Sequence, residues 1–229
     1  MKKKQKKMPE NPKSLLFSAG VDYFSISNDS LWGSGEPETL ELLEKINVSG
    51  NWLDLAAGDG RYATILSEKV NSLFATDADP GALSKLFFRV DGVYRKKIHF
   101  TQLNMKNPLP FLGASFDGVI CTGTLHLFDS VVLTNILLEI LRVLKDSGTL
   151  IIDFAVDIKR NYPDGKIFTH NGDMGYTSQT ANLLLQQIFG KNLDNIWISS
   201  FEDDLTNVVG YGYITQGNFL LICASKKRG

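Results

Sequence analysis

The sequence predicts an α/β protein with a doubly wound, mostly parallel sheet, and three observations support this prediction. Short apolar segments alternate with segments of helical periodicity through the first two-thirds of the chain. A glycine-rich turn joins the first strand segment to the following helix. Two apolar segments with only a polar connection between them end the chain, which predicts an antiparallel pair. We therefore expect seven strands, helices on both faces and a C-terminal antiparallel strand pair.

The predicted elements follow from local signals in chain order. Pro37 opens a helix that Gly50 ends, and Asp129 caps a helix that runs to Lys145, with Gly148 as its terminator. The other helices are expected at 61–69, from Pro80 to Phe88, and from a cap at Thr177 or Ser178 to Gly190. The strands are expected at residues 51–57, 72–76, 98–103, 116–122, 149–156, 195–201 and 218–224.

Composition indicates one globular domain. The chain has 229 residues, of which 43% are hydrophobic and 21% charged, with a net charge of −1. We expect a disordered basic tail at 1–13 and a single domain at 14–229, with its core at about 36–225. Two cysteines in apolar segments indicate a reducing compartment, and the sequence has neither a membrane span nor the apolar stretch of a signal peptide. These features favour the cytoplasm.

The near-zero net charge hides an uneven distribution. Residues 1–13 carry a net charge of +5 and residues 226–228 one of +3, so the body at 14–225 carries −9. An acidic body favours a small-molecule ligand over a nucleic acid, whereas the lysine tail keeps an RNA-binding arm open as an alternative to a solvated terminus.

The glycine turn carries the main functional signal. Small residues at Ala56, Gly58 and Gly60 would let a ligand approach the backbone where free N–H groups favour an anion. Asp77, nineteen residues after Gly58, ends the next strand and can accept hydrogen bonds from a ribose diol, although it could instead be a helix N-cap. The turn also satisfies the dinucleotide pattern G-x-G-x-x-A, so a nicotinamide-dependent oxidoreductase remains an alternative at this point.

Later segments separate these alternatives. Five segments carry the signal, and they run from Asp54 to Gly60, from Asp77 to Pro80, from Asn104 to Phe111, from Ser115 to Val119 and from Leu141 to Gly148. In order and spacing, these segments resemble the class I S-adenosylmethionine-dependent methyltransferases, particularly the small-molecule branch called methyltransferase type 11. The resemblance covers about residues 36–156, and the closing helix and strand pair fit the family's Rossmann-like, seven-stranded sheet.

The resemblance implies S-adenosylmethionine as cofactor and assigns roles to its motif positions. Ala56, Gly58 and Gly60 would make room for the methionyl end, Asp54 would orient the loop or meet the methionine amine through water, and Asp77 would hold the ribose. The remaining implied cofactor residues are Asn104 and Met105 beside the adenine, and Thr122 and Gly123 beside the methionine.

Two of these positions depart from the family pattern. Asn104 stands where the family usually has Asp, but its side-chain oxygen can still accept from the adenine amine. Ala56 replaces a more usual glycine, and its methyl group should be tolerated only if the backbone does not require a positive φ. Asp117 is expected to be structural, because it starts a buried strand.

Methyl transfer from a sulfonium is an in-line displacement, so it needs orientation and exclusion of water but no metal ligand set. His126 is the candidate general base, with helix capping or packing as the alternative role. Asp153 and Asp157 are weaker candidates.

Acceptor specificity would come from 14–36, 157–177 and 202–217, which carry the aromatic residues Tyr23, Trp32, Tyr162, Phe168, His170, Tyr176, Tyr211 and Tyr213. The lack of an assured base also leaves a non-catalytic, cofactor-binding partner subunit open.

Overall fold

A computed structural model describes Tyr23 and residues 29–162, 164–167, 174–205 and 214–228, with the backbone alone at 200–205 and 214–215. The helices are α1 (Pro37–Lys45), α2 (Ala63–Lys69), α3 (Pro80–Arg89), α4 (Gly92–Arg95), α5 (Ser130–Val143) and α6 (Ser178–Phe189). The strands are β1 (Asn51–Leu55), β2 (Ser72–Asp77), β3 (Ile98–Gln102), β4 (Phe116–Cys121), β5 (Leu144–Asn161), β6 (Leu193–Leu205) and β7 (Ile214–Lys226).

The strands form one seven-stranded sheet in the order β3-β2-β1-β4-β5-β7-β6. The first five strands pair in parallel, and β7 lies antiparallel between β5 and β6. The predicted mixed sheet with a closing antiparallel pair is therefore confirmed.

Alternate side chains of the buried strands fill two separate cores, which places helices on both faces. Leu53 and Leu55 of β1 pack on the face covered by α5 and α6. Trp52, which alternates with them along the strand, packs with Leu66 of α2 and Leu86 of α3 on the opposite face. The parallel strands are thus covered on both sides, as their nearly continuous apolar sequence predicts.

The junction of α5 and β5 differs from the sequence prediction. The helix ends at Val143, and Leu144 already pairs with Phe116 of β4 instead of extending the helix to Lys145. Gly148 is not a helix terminator: a Cβ there would lie 2.8 Å from both the Lys145 carbonyl oxygen and Leu144 Cδ1. This residue is glycine because the chain folds closely on itself where β5 begins.

Other element boundaries shift because tertiary pairing, which local sequence does not encode, decides them. β1 ends at Leu55 rather than residue 57, and α2 begins at Ala63 rather than Arg61. β5 continues past Val156 through a register shift and pairs with β7 again from Lys159. The short helix α4 has no counterpart in the prediction, whereas Thr177 caps α6 as predicted, through a reciprocal capping box with Thr180.

Candidate active site

The candidate site lies at the point of the sheet where the strand order reverses. β1 pairs with β2 on one side and with β4 on the other, so the turns after β1 and β4 diverge at the carboxyl edge of the sheet. Open parallel sheets bind ligands in the crevice at such a switch point. The glycine turn after β1 and Gly123 after β4 therefore occupy the expected place.

Backbone hydrogen bonds fix the glycine turn. The Ala57 amide donates to the Thr76 carbonyl at 2.8 Å, and the Gly60 amide donates to the Ala57 carbonyl at 3.0 Å. Gly60 has φ 87°, and a Cβ there would collide with Leu86 of α3. Position 60 consequently requires glycine for both its backbone angle and its packing.

Ala56 does adopt a positive φ, of 63°. The condition under which its methyl group would be tolerated without strain is thus not met, since this left-handed region costs a residue with a Cβ roughly 1 to 2 kcal/mol. The chain accepts the strain at the point where β1 turns into the loop.

Asp77 ties the two strand ends together. Its Oδ2 accepts from the Gly58 amide at 2.9 Å, and its Oδ1 accepts from the Asp79 amide at the same distance. Asp79, not Asp77, caps α3 by accepting from Gly81. Burial raises the pKa of Asp77, partly opposed by the amides of Asp79 and Gly58. Each oxygen retains a lone pair for a ribose hydroxyl.

Asp54 is buried on β1, with 4% of its surface exposed. Burial first, and then the charge of Asp77, raise its pKa to about 7, although Arg61 acts in the opposite direction. A cation entering beside Asp54 would favour its carboxylate form.

Asn104 and Met105 follow β3 at the same edge. The Asn104 side-chain oxygen accepts from the Lys106 amide at 3.0 Å in a local turn, and Met105 is buried in the core against α5. Their adenine contacts stay a prediction.

The turn after β4 is held by a buried carboxylate. Gly123, with φ 68°, donates its amide to Asp153 Oδ1 at 2.6 Å, and the Thr122 carbonyl accepts from the Thr124 hydroxyl at 3.2 Å. Asp153 is fully buried, its Oδ2 has no partner among the described residues, and burial raises its pKa to about 7. The sequence predicts that Asp153 lies near this edge, but no sequence signal indicates its hydrogen bond to Gly123.

His126 lies in a short 3₁₀ helix, Leu125–Leu127, directly after this turn. It lines a cavity of about 30 Å³ together with Ala155, Ile158, Met174, Gly175 and Tyr176. Its Nδ1 is buried without a partner in the described part of the chain, and burial, with a smaller effect of Arg160, lowers its pKa to about 4. The imidazole is therefore neutral near pH 7 and can accept a proton only weakly.

Other predicted residues have structural roles. Asp117 accepts from the Asn51 amide and from Lys145, both at 2.8 Å, and so joins β4 to the start of β1. Asp157 accepts from the hydroxyl of Ser178 at 2.5 Å, at the start of α6.

The acceptor-specificity segments are only partly described. The Tyr176 hydroxyl donates to the Phe128 carbonyl at 2.9 Å, Tyr162 is exposed, and Tyr23 is buried. Phe168, His170, Tyr211, Tyr213 and the tail at 1–13 lie outside the described residues.

Sequence reasoning missed a cluster formed by Ser30, Glu36, Asp59 and Arg61. Asp59 lies inside the glycine turn yet is completely buried, and it accepts from Ser30 Oγ at 2.6 Å. Arg61 pairs with Glu36 at 2.9 Å. The available signal was a charged pair within a loop of otherwise small residues.

Within the described ranges, no group of His, Cys, Asp and Glu side chains is arranged to hold a metal ion. No helix there is long and apolar enough to cross a bilayer.

Residues 53–148 match the family model of the methyltransferase domain. No curated protein sequence matches the chain. The matched segment begins in β1 and ends in the first residues of β5, so it contains the glycine turn, Asp77 and the turn after β4.

Solved structures with the same fold are distant in sequence. An S-adenosylmethionine-dependent methyltransferase from Methanosarcina mazei is 19% identical, with TM-score 0.61, over 85% of this chain and 99% of that one. DhpI in complex with S-adenosylhomocysteine is 18% identical, with TM-score 0.55, over 84% of each chain. A methyltransferase from Haloferax volcanii, solved in complex with the activator Trm112, is 15% identical, with TM-score 0.55. The match covers 83% of this chain and 89% of that one.

The sheet order and these neighbours define a class I methyltransferase fold. Residues 53–148 match a methyltransferase domain, and this match supports an enzyme that transfers methyl groups. The match and the fold agree with the predicted methyltransferase, and the antiparallel β7 within the sheet distinguishes this fold from that of the alternative oxidoreductase.

Proposed function

We propose that this protein transfers the methyl group of S-adenosylmethionine to an O, N or C atom of a small molecule, leaving S-adenosylhomocysteine. The observation that carries the cofactor assignment is the bridge from the Gly58 amide to Asp77 at the switch point of the sheet. It places a glycine backbone beside a carboxylate that can accept hydrogen bonds from a ribose diol. The complex of DhpI with S-adenosylhomocysteine supports the same cofactor.

The chemistry needs little from the side chains. The acceptor would take the methyl group as the carbon–sulfur bond of the sulfonium breaks, so the protein would mainly align the two molecules and exclude water. When bound, the cofactor supplies an activated methyl group on a good leaving group. Asp54, Asp77, the glycine turn, Asn104, Met105, Thr122 and Gly123 would hold it.

An acceptor that must lose a proton needs a base at this edge. We propose His126 for this role, because it lies in the short helix after the β4 turn and its Nδ1 has no partner among the described residues. Asp153, with an unpartnered oxygen beside Gly123, is the second candidate. Asp157 is disfavoured because Ser178 occupies its Oδ2.

The acidic body favours a small-molecule acceptor over a nucleic acid. Residues 14–225 carry a net charge of −9, which would repel phosphate backbones from most of the surface. Incubation of cell extract with the protein and methyl-labelled cofactor would sort label among small molecules, RNA and protein. Label confined to RNA or protein would contradict the proposal.

The cofactor assignment predicts that Asp77→Ala binds S-adenosylhomocysteine roughly 10- to 100-fold more weakly, because two hydrogen bonds to a charged acceptor are removed. Calorimetric titration measures the affinity. Asp79→Ala is the matched control, since it removes a neighbouring carboxylate that caps α3 and should affect stability more than affinity. Unchanged affinity in Asp77→Ala, or a wild-type protein that binds NAD in preference, would reject the assignment.

A further inference from the structure

We infer that Trp32 is a cofactor-binding residue that covers the methyl donor, and that the buried carboxylate of Asp59 holds it there. This inference rests on the proposed function and adds a part of the site that lies outside the matched domain.

The indole of Trp32 lies beside the glycine turn. A Cβ placed on Gly58 would be 3.5 Å from both Cδ1 and Nε1 of Trp32. Gly58 is the residue whose amide is bound to Asp77, so the ring lies directly beside the candidate ribose and methionine positions. Trp32 is 38% exposed, and such a side chain is not explained by core packing alone.

Asp59 fastens the segment that carries Trp32. Its Oδ1 accepts from Ser30 Oγ and its Oδ2 from the Leu31 amide, each at 2.6 Å. Ser30 Oγ also accepts from the Trp32 amide at 3.1 Å. Asp59 is fully buried, and short hydrogen bonds to a buried charge are strong, so they fix the backbone immediately before the indole.

Arg61 provides a second attachment on the other side of Trp32. Its Nη1 donates to the Trp32 carbonyl at 3.2 Å and to Glu36 at 2.9 Å. Its Nη2 would lie 3.6 Å from a Cβ placed on Gly123. The guanidinium therefore spans from residues 32–36 to the turn after β4, and the two attachments hold Trp32 across the switch-point crevice.

An indole beside this turn suits a sulfonium. A cation within about 6 Å of an indole centroid is stabilised by roughly 0.5 to 2 kcal/mol, more when water is excluded. S-adenosylmethionine is cationic at sulfur, whereas S-adenosylhomocysteine is neutral there. Trp32 would consequently favour the substrate form of the cofactor over the product form.

The test compares three probes: S-adenosylmethionine, S-adenosylhomocysteine and sinefungin, which carries an ammonium in place of the sulfonium. In Trp32→Leu, we expect the two cationic probes to lose about 3- to 30-fold in affinity relative to S-adenosylhomocysteine, and Trp32→Phe to lose less. Trp197→Leu, at an exposed position on β6, is the control and should change none of the three affinities. Equal losses for all three probes, or no loss, would overturn the sulfonium contact.

Tryptophan fluorescence tests whether Trp32 lies beside the bound cofactor. Binding of S-adenosylhomocysteine should change the emission of the wild type but not that of Trp32→Phe.

Variants at Asp59 and Ser30 test whether Asp59 holds Trp32 in place. Asp59→Asn should reduce the preference for cationic probes as Trp32→Leu does. If that variant does not fold, Ser30→Ala removes one of the hydrogen bonds to Asp59 and should give a smaller loss of preference. If Asp59→Asn or Ser30→Ala folds and keeps the wild-type preference for cationic probes, the role of Asp59 is refuted. A wild type that binds none of the probes would instead refute the proposed function, and with it this inference.

Discussion

Ala56 shows how a single residue can keep a strained backbone in the turn of the candidate site. Its φ of 63° belongs to the region that glycine occupies most readily, yet the adjoining residues are fixed by β1 on one side and by the Ala57 to Thr76 hydrogen bond on the other. The surrounding structure thus determines the angle, and the side chain adapts to it.

We expect Ala56→Gly to stabilise the protein by about 0.5 to 1 kcal/mol, because relief of roughly 1 to 2 kcal/mol of strain exceeds the added entropy of the unfolded chain. Urea unfolding measures the change. The control Ala82→Gly, within α3, should destabilise by about 1 kcal/mol. A loss of stability in Ala56→Gly would contradict the strain argument.

The raised pKa of Asp54 predicts how cofactor binding depends on pH. Its pKa of about 7, raised first by burial, means that the carboxyl is half protonated near neutrality in the free protein. A bound ammonium or sulfonium favours the carboxylate, so binding releases a proton below pH 7. We expect the affinity for S-adenosylmethionine to rise from about pH 5 to pH 7 and then level off, as measured by titration across that range.

Asp54→Asn should flatten this profile. Asp153, whose pKa is also about 7, provides the matched control, since Asp153→Asn should leave the profile in place if Asp54 is the residue that meets the cation. Folding stability depends on pH in the opposite direction. The folded-state pKa values of Asp54 and Asp153 both lie above their unfolded values near 3.8. The stability that these groups contribute is therefore present at acid pH and is lost as pH rises through 7. A flat wild-type profile would remove the role of Asp54.

Individual elements show what local sequence can and cannot predict. Apolar runs and caps located every strand of the sheet and five of the helices, because these signals lie within the element itself. The predicted start of β5 was wrong, since it depends on the pairing of Leu144 with Phe116. In the same way, the strand-end position of Asp77 was predictable, whereas the bonds of Asp59 to Ser30 and of Asp153 to Gly123 join residues about 30 positions apart.

Gly118 on β4 illustrates a packing constraint that the sequence does not reveal. A Cβ at this position would overlap the ring of Trp52 on neighbouring β1. We expect Gly118→Ala to destabilise by about 1 to 3 kcal/mol through overpacking. Gly92→Ala, where a Cβ would meet nothing within 4 Å, should be neutral or slightly stabilising. Equal unfolding midpoints for the two variants would count against this account.

On the scale of the whole molecule, the basic terminus and the acidic body predict different behaviour toward RNA. Residues 1–13 carry +5, and removal of lysines that neutralise RNA phosphates should reduce the salt dependence of binding. We expect deletion of 1–13 to weaken low-salt RNA retention while the affinity for S-adenosylhomocysteine stays the same. Filter retention across a salt series measures this, and salt-resistant retention by the truncated protein would instead indicate an RNA acceptor.

The position of β7 has a consequence for how the sheet is completed during synthesis. Among the described strands, β6 pairs with β7 alone, and β7 also supplies the antiparallel neighbour of β5. On a ribosome, β6 therefore emerges with no strand to join and must wait for the segment from Ile214 to Lys226. The candidate cofactor-binding residues, from Asp54 to Gly123, are made earlier, so the half of the sheet that bears them can assemble before the half that closes it.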